Sequence, residues 1–234
     1  MSDLDLEALE TLPLAIEGRL VDASNATLFG SIALSPNESL SIVYKPVAGE
    51  RPLWDFPHGT LASREVAAFR ISELSGIGCV PPTVLRDGPY GLGAVQRWID
   101  VDENIDVIEL GQSQDPRIRS MALFDVVVNN TDRKFGHILP AGDGRVFGCD
   151  HGVTFHVDYK LRTVLWQFAG LDLSDEEKAL LISLLTKIDR DSSLNNLLDA
   201  EEIAALKTRI EELLNDGAFP FPSQEWPAVP WPPV

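Results

Sequence analysis

The sequence predicts an α+β fold, with an N-terminal antiparallel sheet plus one helix and a mainly helical C-terminal part. Three observations predict it. Between residues 15 and 99, apolar runs of period two alternate with turn residues. Inside that region one stretch, residues 63–74, repeats with helical spacing instead. Beyond residue 115 the helical period dominates, with start signals at Pro116, Ser174 and Asp199.

In order along the chain, residues 1–14 form a polar lead-in with at most a short helix. Residues 15–21 and 27–34 read as strands. A Ser35-Pro36-Asn37-Glu38 turn leads to a strand over 40–45, which Pro46 ends. Along that strand Leu40, Ile42 and Tyr44 face one way, while Ser41, Val43 and Lys45 face the other. A loop rich in glycine, proline and aromatic residues covers 47–62. Ser63 caps the helix that follows, with Glu65 in its first turn and Val66, Ala67, Phe69, Ile71 and Leu74 on its apolar face. Residues 80–85 and 91–99 are two further strands around an Asp87-Gly88-Pro89 turn.

The stretch 100–114 is acidic and loosely patterned. Pro116 opens a helix to Val128 whose apolar residues wrap most of the way round, which predicts burial. Residues 163–168 read as loop or a short turn. A capping box, Ser174-Asp175-Glu176-Glu177, opens a helix to about residue 188. Asp199 caps another to about residue 215, ended by Gly217. The tail, residues 219–234, is rich in proline and carries Trp226 and Trp231. It reads as extended chain docked on the body or on a partner. The expected division is therefore residues 1–99, 100–218 and a Pro/Trp-rich tail, 219–234.

A chain of 234 residues accommodates one large domain or two lobes sharing a cleft, and an apolar fraction of 44% builds a core. The formal net charge of -17 repels nucleic acids and anionic membranes, and no Lys/Arg cluster overrides it. Cys79 and Cys149 are far apart and lack metal-ligand spacing. They read as two reduced, buried thiols of a cytoplasmic protein. The acidic first residues lack the basic start of a signal peptide, and no apolar run reaches the length of a membrane span.

Two short motifs carry the chemistry. Asn129-Asn130-Thr131-Asp132-Arg133-Lys134-Phe135-Gly136-His137 and Cys149-Asp150-His151-Gly152 each follow an apolar run. Between them a Gly142-Asp143-Gly144 turn, flanked by Ile138-Leu139 and Val146-Phe147, signals a hairpin. The hairpin brings Asp132 and Asp150 back toward one another. Two carboxylates at the mouth of a small sheet suit a divalent metal and a nucleotide. Taken singly, each has a plainer reading: a solvated Asp-Arg loop, and an ordinary turn at a strand end. His151 and His156 suit structural roles, and the absence of His-Glu-x-x-His spacing argues against a zinc hydrolase.

Asn130-Thr131-Asp132-Arg133 followed by Asp150-His151-Gly152-Val153-Thr154-Phe155 resembles the catalytic and metal motifs of phosphatidylinositol 3-/4-kinase-like enzymes, the type II phosphatidylinositol 4-kinases in particular. Tyr44-Lys45-Pro46, the segment Gly49 to Pro57, and Arg64-Glu65-Val66-Ala67-Ala68 resemble a small actinobacterial branch of that group. The resemblance spans roughly residues 20 to 156. It implies a two-lobed, protein-kinase-like fold with ATP in the cleft, and leaves the substrate open.

On that resemblance Lys45 pairs with nucleotide phosphates and with Glu65, although alone each residue also suits a plain surface position. Asp132 is the base that accepts or orients the acceptor hydroxyl, and Arg133 stabilises the loop or the developing charge. Asp150 holds Mg²⁺. His137 stands where the related kinases carry asparagine as a second metal ligand, so metal preference shifts toward Mn²⁺, one metal is lost, or catalysis is lost. Residues 22–27 lack the glycines of a phosphate-covering loop. Ser24, Asn25 and Thr27 either offer donors to phosphate or form an ordinary polar turn. Gln96 and Trp98 lie in the segment expected to meet adenine, Trp98 with plain core as its alternative. The leading expectation is an ATP-dependent kinase whose acceptor is a protein or small-molecule hydroxyl rather than a phosphoinositide. The alternatives are a nucleotide-binding pseudokinase or scaffold, and a weaker one of adenylyl transfer.

Overall fold

The computed structural model describes residues 3–20 and 25–234. Strands β1 (Ala15–Arg19), β2 (Leu28–Ser35), β3 (Glu38–Pro46), β4 (Thr83–Gly88) and β5 (Gly91–Arg97) form one antiparallel sheet in the order β1-β2-β3-β5-β4. Its pleat sorts the side chains of β3 as their alternation requires. Ile42 and Tyr44 pack with Val84 and Val95 beneath helix α1 (Asp3–Thr11), against Ala8 and Leu9. Val43 and Lys45 therefore face the other side, where helix α2 (Leu61–Ser75) lies.

Helix α2 begins two residues earlier than Ser63. Thr60 occupies the N-cap without a side-chain bond. The carboxylate of Glu50, from the preceding loop, accepts instead from the backbone N–H of Ala62 at 2.9 Å. A local cap was expected and a tertiary one satisfies the donor. That loop approaches the β1–β2 connection closely: a Cβ on Gly49 would lie 2.5 Å from that of Ala26, so only glycine fits.

The acidic stretch after β5 contains helix α3 (Val107–Gln112), capped by the side chain of Asp106. Its six residues are too short for a hydrophobic period to register in the sequence. Helix α4 (Pro116–Val128) is buried from Met121 through Val128, and Asn129 ends it in the left-handed region at φ 54°. Strands β6 (Ile138–Pro140) and β7 (Val146–Gly148) form the expected hairpin. Helices α5 (Asp175–Arg190) and α6 (Ala200–Asp216) both start from complete capping boxes. One apolar core joins α4, α5, α6 and the inner face of α2.

Two connections, the first of them buried, fix the helical part against α2 and the segment after β5. Arg64 on α2 pairs with Glu202 on α6 and donates to the carbonyl of Thr154 at 2.6 Å. After β5 the chain rejoins the hairpin through Asp102 N–H to the Pro140 carbonyl, 2.8 Å. The tail has no helix or strand and is bonded to the body. Ala228 accepts from Thr163 N–H and from the Trp166 indole, and Pro233 accepts from Phe135 N–H. Trp226 is half-buried against Tyr159, whereas Trp231 remains 86% exposed. Among the described residues, no helix is long and apolar enough to cross a membrane.

Removing one partner of a buried pair strands the other charge, so Arg64→Ala should lower unfolding free energy by about 3–5 kcal/mol. Urea unfolding measures this, and a loss below about 1 kcal/mol would show that the α2–α6 pair contributes little.

Candidate active site

The site forms where β3, α2 and the two motif loops meet. The Lys45 amine, at the end of β3, touches the Glu65 carboxylate of α2 and lies 3.1 Å from Asp150 Oδ1. Glu65 also accepts the backbone N–H of His151 at 3.0 Å, so one carboxylate ties α2 to both neighbours. Burial alone would push the Lys45 amine down, but the Asp150 and Glu65 charges hold it well above the usual lysine range. Asp150 is held well below the usual carboxylate range, chiefly by Lys45. Glu65 is pushed up by its burial, with Lys45 opposing. Asp150 takes a left-handed backbone at φ 59°, a conformation stored locally at some energetic cost. Its side chain keeps 46% exposure, which leaves a charged oxygen facing the cleft.

Asp132 lies across the same cleft, 3.3 Å from the Lys134 amine, with its backbone N–H bonded to Asn130 Oδ1 at 3.0 Å. His137 Nε2 stands 3.7 Å from Asp150 Oδ2. Burial lowers its basicity, so the neutral imidazole, the form that binds metal, is favoured. Its Nδ1 is buried without a partner, although ligating imidazoles ordinarily donate from that second nitrogen. Among the described residues no group of three or more acidic, histidine or cysteine side chains could enclose a metal ion.

Beneath the loop lies a buried polar network. Arg133, fully buried, donates to Asp125 on α4 through Nε at 3.0 Å and Nη2 at 2.8 Å, and to the Cys149 carbonyl at 3.2 Å. Its Nη2 also meets His151 Nε2 at 2.7 Å. Because a guanidinium only donates, that ring nitrogen accepts and the imidazole proton sits on Nδ1. Burial and the adjacent Arg133 hold His151 neutral. A Cβ on Gly148 would fall 2.8 Å from Arg133 Nη1, so glycine there admits the guanidinium. Asn130 completes the network, donating to Asp125 Oδ1 at 2.9 Å.

Lys45, Glu65, Asp132 and Asp150 all line one cleft of about 810 Å³, with Asn25 and Thr27 at its rim. Ser24 lies outside the described residues. Three expected site residues stand elsewhere. Arg133 does not face the cleft: its fork is consumed by Asp125, so it fixes the loop and cannot meet developing charge. The Gln96 backbone is taken by ladders to both β3 and β4, and its amide donates to Thr83 at 2.8 Å. The Trp98 ring packs edge-on against Phe29, 5.1 Å between centroids, and the Trp98 backbone N–H donates to the Ser41 carbonyl. Both are packing residues outside this cleft.

The cleft also contains Arg51 and Trp54 from the segment 49–57 and Trp226 from the tail, together with three groups that the sequence reading did not single out: Tyr159, Lys160 and Arg162. The signal available for two of them was a pair of cations, Lys160 and Arg162, shortly after Asp150 in a strongly acidic chain. Asp125 had a signal too, as a lone acid in an otherwise apolar helix.

No family model matches the chain. The Mycobacterium tuberculosis Protein Rv2133c is 40% identical over 256 residues, an alignment covering 94% of this chain and 91% of that protein. Among solved structures, a hydra Fam20 structure with sugar superposes with a TM-score of 0.54 at 14% identity, covering 92% of this chain and 88% of the other. A Golgi casein kinase with Mn and ADP bound gives 0.54 at 13% identity, covering 92% and 74%. These likenesses establish a two-lobed, kinase-like α+β fold.

Burial pushes the Cys79 thiol up to about 12 and that of Cys149 up to about 11, so both stay protonated at pH 8. Native protein should resist iodoacetamide at that pH, while unfolded chain takes label at both positions; mass spectrometry reads the difference. Rapid native labelling of Cys149 would show that the loop before Asp150 opens in solution.

Proposed function

We propose that this chain, which belongs to the family of Mycobacterium tuberculosis Protein Rv2133c, is an ATP-dependent phosphotransferase acting on a hydroxyl acceptor. The observation that carries the reading is the Lys45 amine seated between Glu65 and Asp150, with Asp132 lining the same cleft. Lys45 is the donor for nucleotide phosphate oxygens, and Glu65 keeps it charged and aimed. Asn25 and Thr27 supply polar groups above the phosphates. Asp132, held by Asn130, takes the acceptor's proton. The acceptor oxygen then bonds to the γ-phosphorus, the bridging P–O bond breaks, and its electron pair leaves with ADP. Arg133 positions the loop through Asp125.

Asp150 and His137 would hold a divalent ion. A charged, half-exposed carboxylate and a neutral imidazole nitrogen, 3.7 Å apart, are within reach of one cation. With only two protein donors, such an ion would complete its shell from phosphate oxygens and water, as nucleotide-borne metals do. When bound, it neutralises charge on the phosphates. A nitrogen donor favours Mn²⁺ over Mg²⁺, and the Golgi casein kinase that shares this fold carries Mn and ADP. The two motifs support a place among phosphatidylinositol 3-/4-kinase-like enzymes, in their actinobacterial branch. Residues 1–99 then act as the nucleotide lobe, 100–218 as the catalytic lobe and 219–234 as an appended tail.

A second reading, a nucleotide-binding module with little turnover, is favoured by one specific observation: His137 lacks the hydrogen bond that would fix it as a ligand. Turnover separates the two.

ATP with Mn²⁺ should raise the thermal midpoint, and Lys45→Met should abolish the rise. Absence of any shift at millimolar nucleotide contradicts both readings. Asp132→Asn should retain nucleotide binding while slowing transfer or ATP hydrolysis by about a hundredfold or more. Wild-type protein that binds ATP but turns over with neither Mg²⁺ nor Mn²⁺ is the result that selects the module.

A further inference from the structure

The side of the cleft beyond Asp132 holds a cation that the kinase chemistry leaves unused. Of the other cations lining the cleft, Lys45 is matched by Glu65 and Asp150, Lys160 by Asp55 at 2.9 Å, and Arg51 is exposed to solvent. Arg162 lines the same cleft, half-buried, yet its guanidinium makes no hydrogen bond and has no carboxylate within ion-pair distance among the described residues. Its Nε is buried without a partner. Burying part of a guanidinium unpaired is unfavourable, and in a chain with a net charge of -17 acidic partners are plentiful. An arginine left free in such a chain is suited to an anion from outside it.

Its position says what that anion is attached to. The Arg162 N–H donates to the Asn130 carbonyl at 2.9 Å, and its own carbonyl accepts from Arg133 N–H. Arg162 is thereby strapped to both flanks of Thr131-Asp132, whose side chains share the cleft wall with it. Lys160, Trp54 and Trp226 line the same cleft. The Trp226 indole N–H is likewise buried without a partner. This wall belongs to the same cleft of about 810 Å³ that holds Lys45, Glu65 and Asp150, so an acceptor here would share it with the nucleotide.

We infer that Arg162 is the specificity-determining residue of an acceptor subsite, which takes a small hydroxyl compound bearing a phosphate or carboxylate group. The guanidinium fork grips the oxyanion, and the hydroxyl is presented to Asp132. This assignment rests on the phosphotransferase reading for its role. The bonds made and broken are those given above: acceptor O–P forms, the bridging P–O breaks with its electrons leaving on ADP, and the hydroxyl proton goes to Asp132.

Calorimetry with inorganic phosphate as the probe tests the subsite, using the full chain with a non-hydrolysable ATP analogue and Mn²⁺ in excess. Wild type should bind phosphate, and Arg162→Ala should weaken that binding about tenfold or more. Arg162→Lys, which keeps the charge but loses the fork, should fall between them. Since the Arg162 side chain has no partner to strand, the alanine variant should keep the wild-type unfolding midpoint. Wild-type protein that binds no phosphate, or an affinity unchanged in Arg162→Ala, overturns the subsite. Repeating the titration with Lys45→Met separates this inference from its premise. Arg162-dependent phosphate binding that persists there, when wild type binds no nucleotide, keeps the oxyanion site and removes the kinase. Nucleotide binding without Arg162-dependent phosphate binding does the reverse.

Discussion

A single amine fixes the geometry of this molecule's cleft. Lys45 leaves the third strand of the sheet and is met by a carboxylate from helix α2 and another from the loop after β7. Three elements distant in sequence therefore converge on one nitrogen. Each charge in the cluster justifies the others: Glu65 and Asp150 keep the amine protonated in a partly dry site, and the amine keeps Asp150 ionised. Glu65 adds a bond to the His151 backbone, so helix α2 cannot shift without disturbing the loop that carries Asp150.

Beneath this cluster at the cleft lies a fully buried counterpart. Asp125, Arg133, His151 and Asn130 form a network inside the helical core, out of contact with solvent. Burying such groups is unfavourable unless their hydrogen bonds are met, and here Asp125 accepts from both Asn130 and Arg133 while Arg133 spans two loops. The His151 Nδ1–H alone of the network is left without a partner among the described residues. The network holds the two acidic motifs in register: Arg133 follows Asp132, and His151 follows Asp150. Asp132 and Asp150 sit on the cleft side of the same loops whose neighbouring side chains anchor them from within.

Much of this was legible in the sequence. The alternation along β3 assigned Lys45 to the face opposite Ile42 and Tyr44, and the glycine turn at 142–144 folded the two motifs together. The Ser174 capping box and the Asp199 cap marked their helices. What escaped was tertiary. The first turn of α2 is satisfied by Glu50, from a loop twelve residues away from Ala62, and no local pattern announces such a cap. Arg133 read as a reactive neighbour of Asp132, because a sequence does not reveal that Asp125 waits beneath it. Gln96 and Trp98 occupy a segment suited to a purine edge, yet Gln96 is paired to strands on both sides. Trp98, just past β5, bonds its backbone N–H to Ser41 and packs its ring on Phe29. Arg162 went unremarked because an arginine earns notice from the partners it lacks, and those are visible only in three dimensions.

The fold joins the sheet and the helical part through a cleft walled by charged and aromatic groups, in a chain whose acidic surface would otherwise repel triphosphates. The cleft itself is lined by six carboxylates and four cations, so a triphosphate would enter with a divalent ion rather than alone. The most direct measurement is a crystal structure with a non-hydrolysable ATP analogue and Mn²⁺. The account predicts phosphate oxygens on the Lys45 amine, the ion between Asp150 and His137, and the γ-phosphorus facing Asp132. A nucleotide bound away from Lys45, or one whose phosphates point away from Asp132, would contradict it.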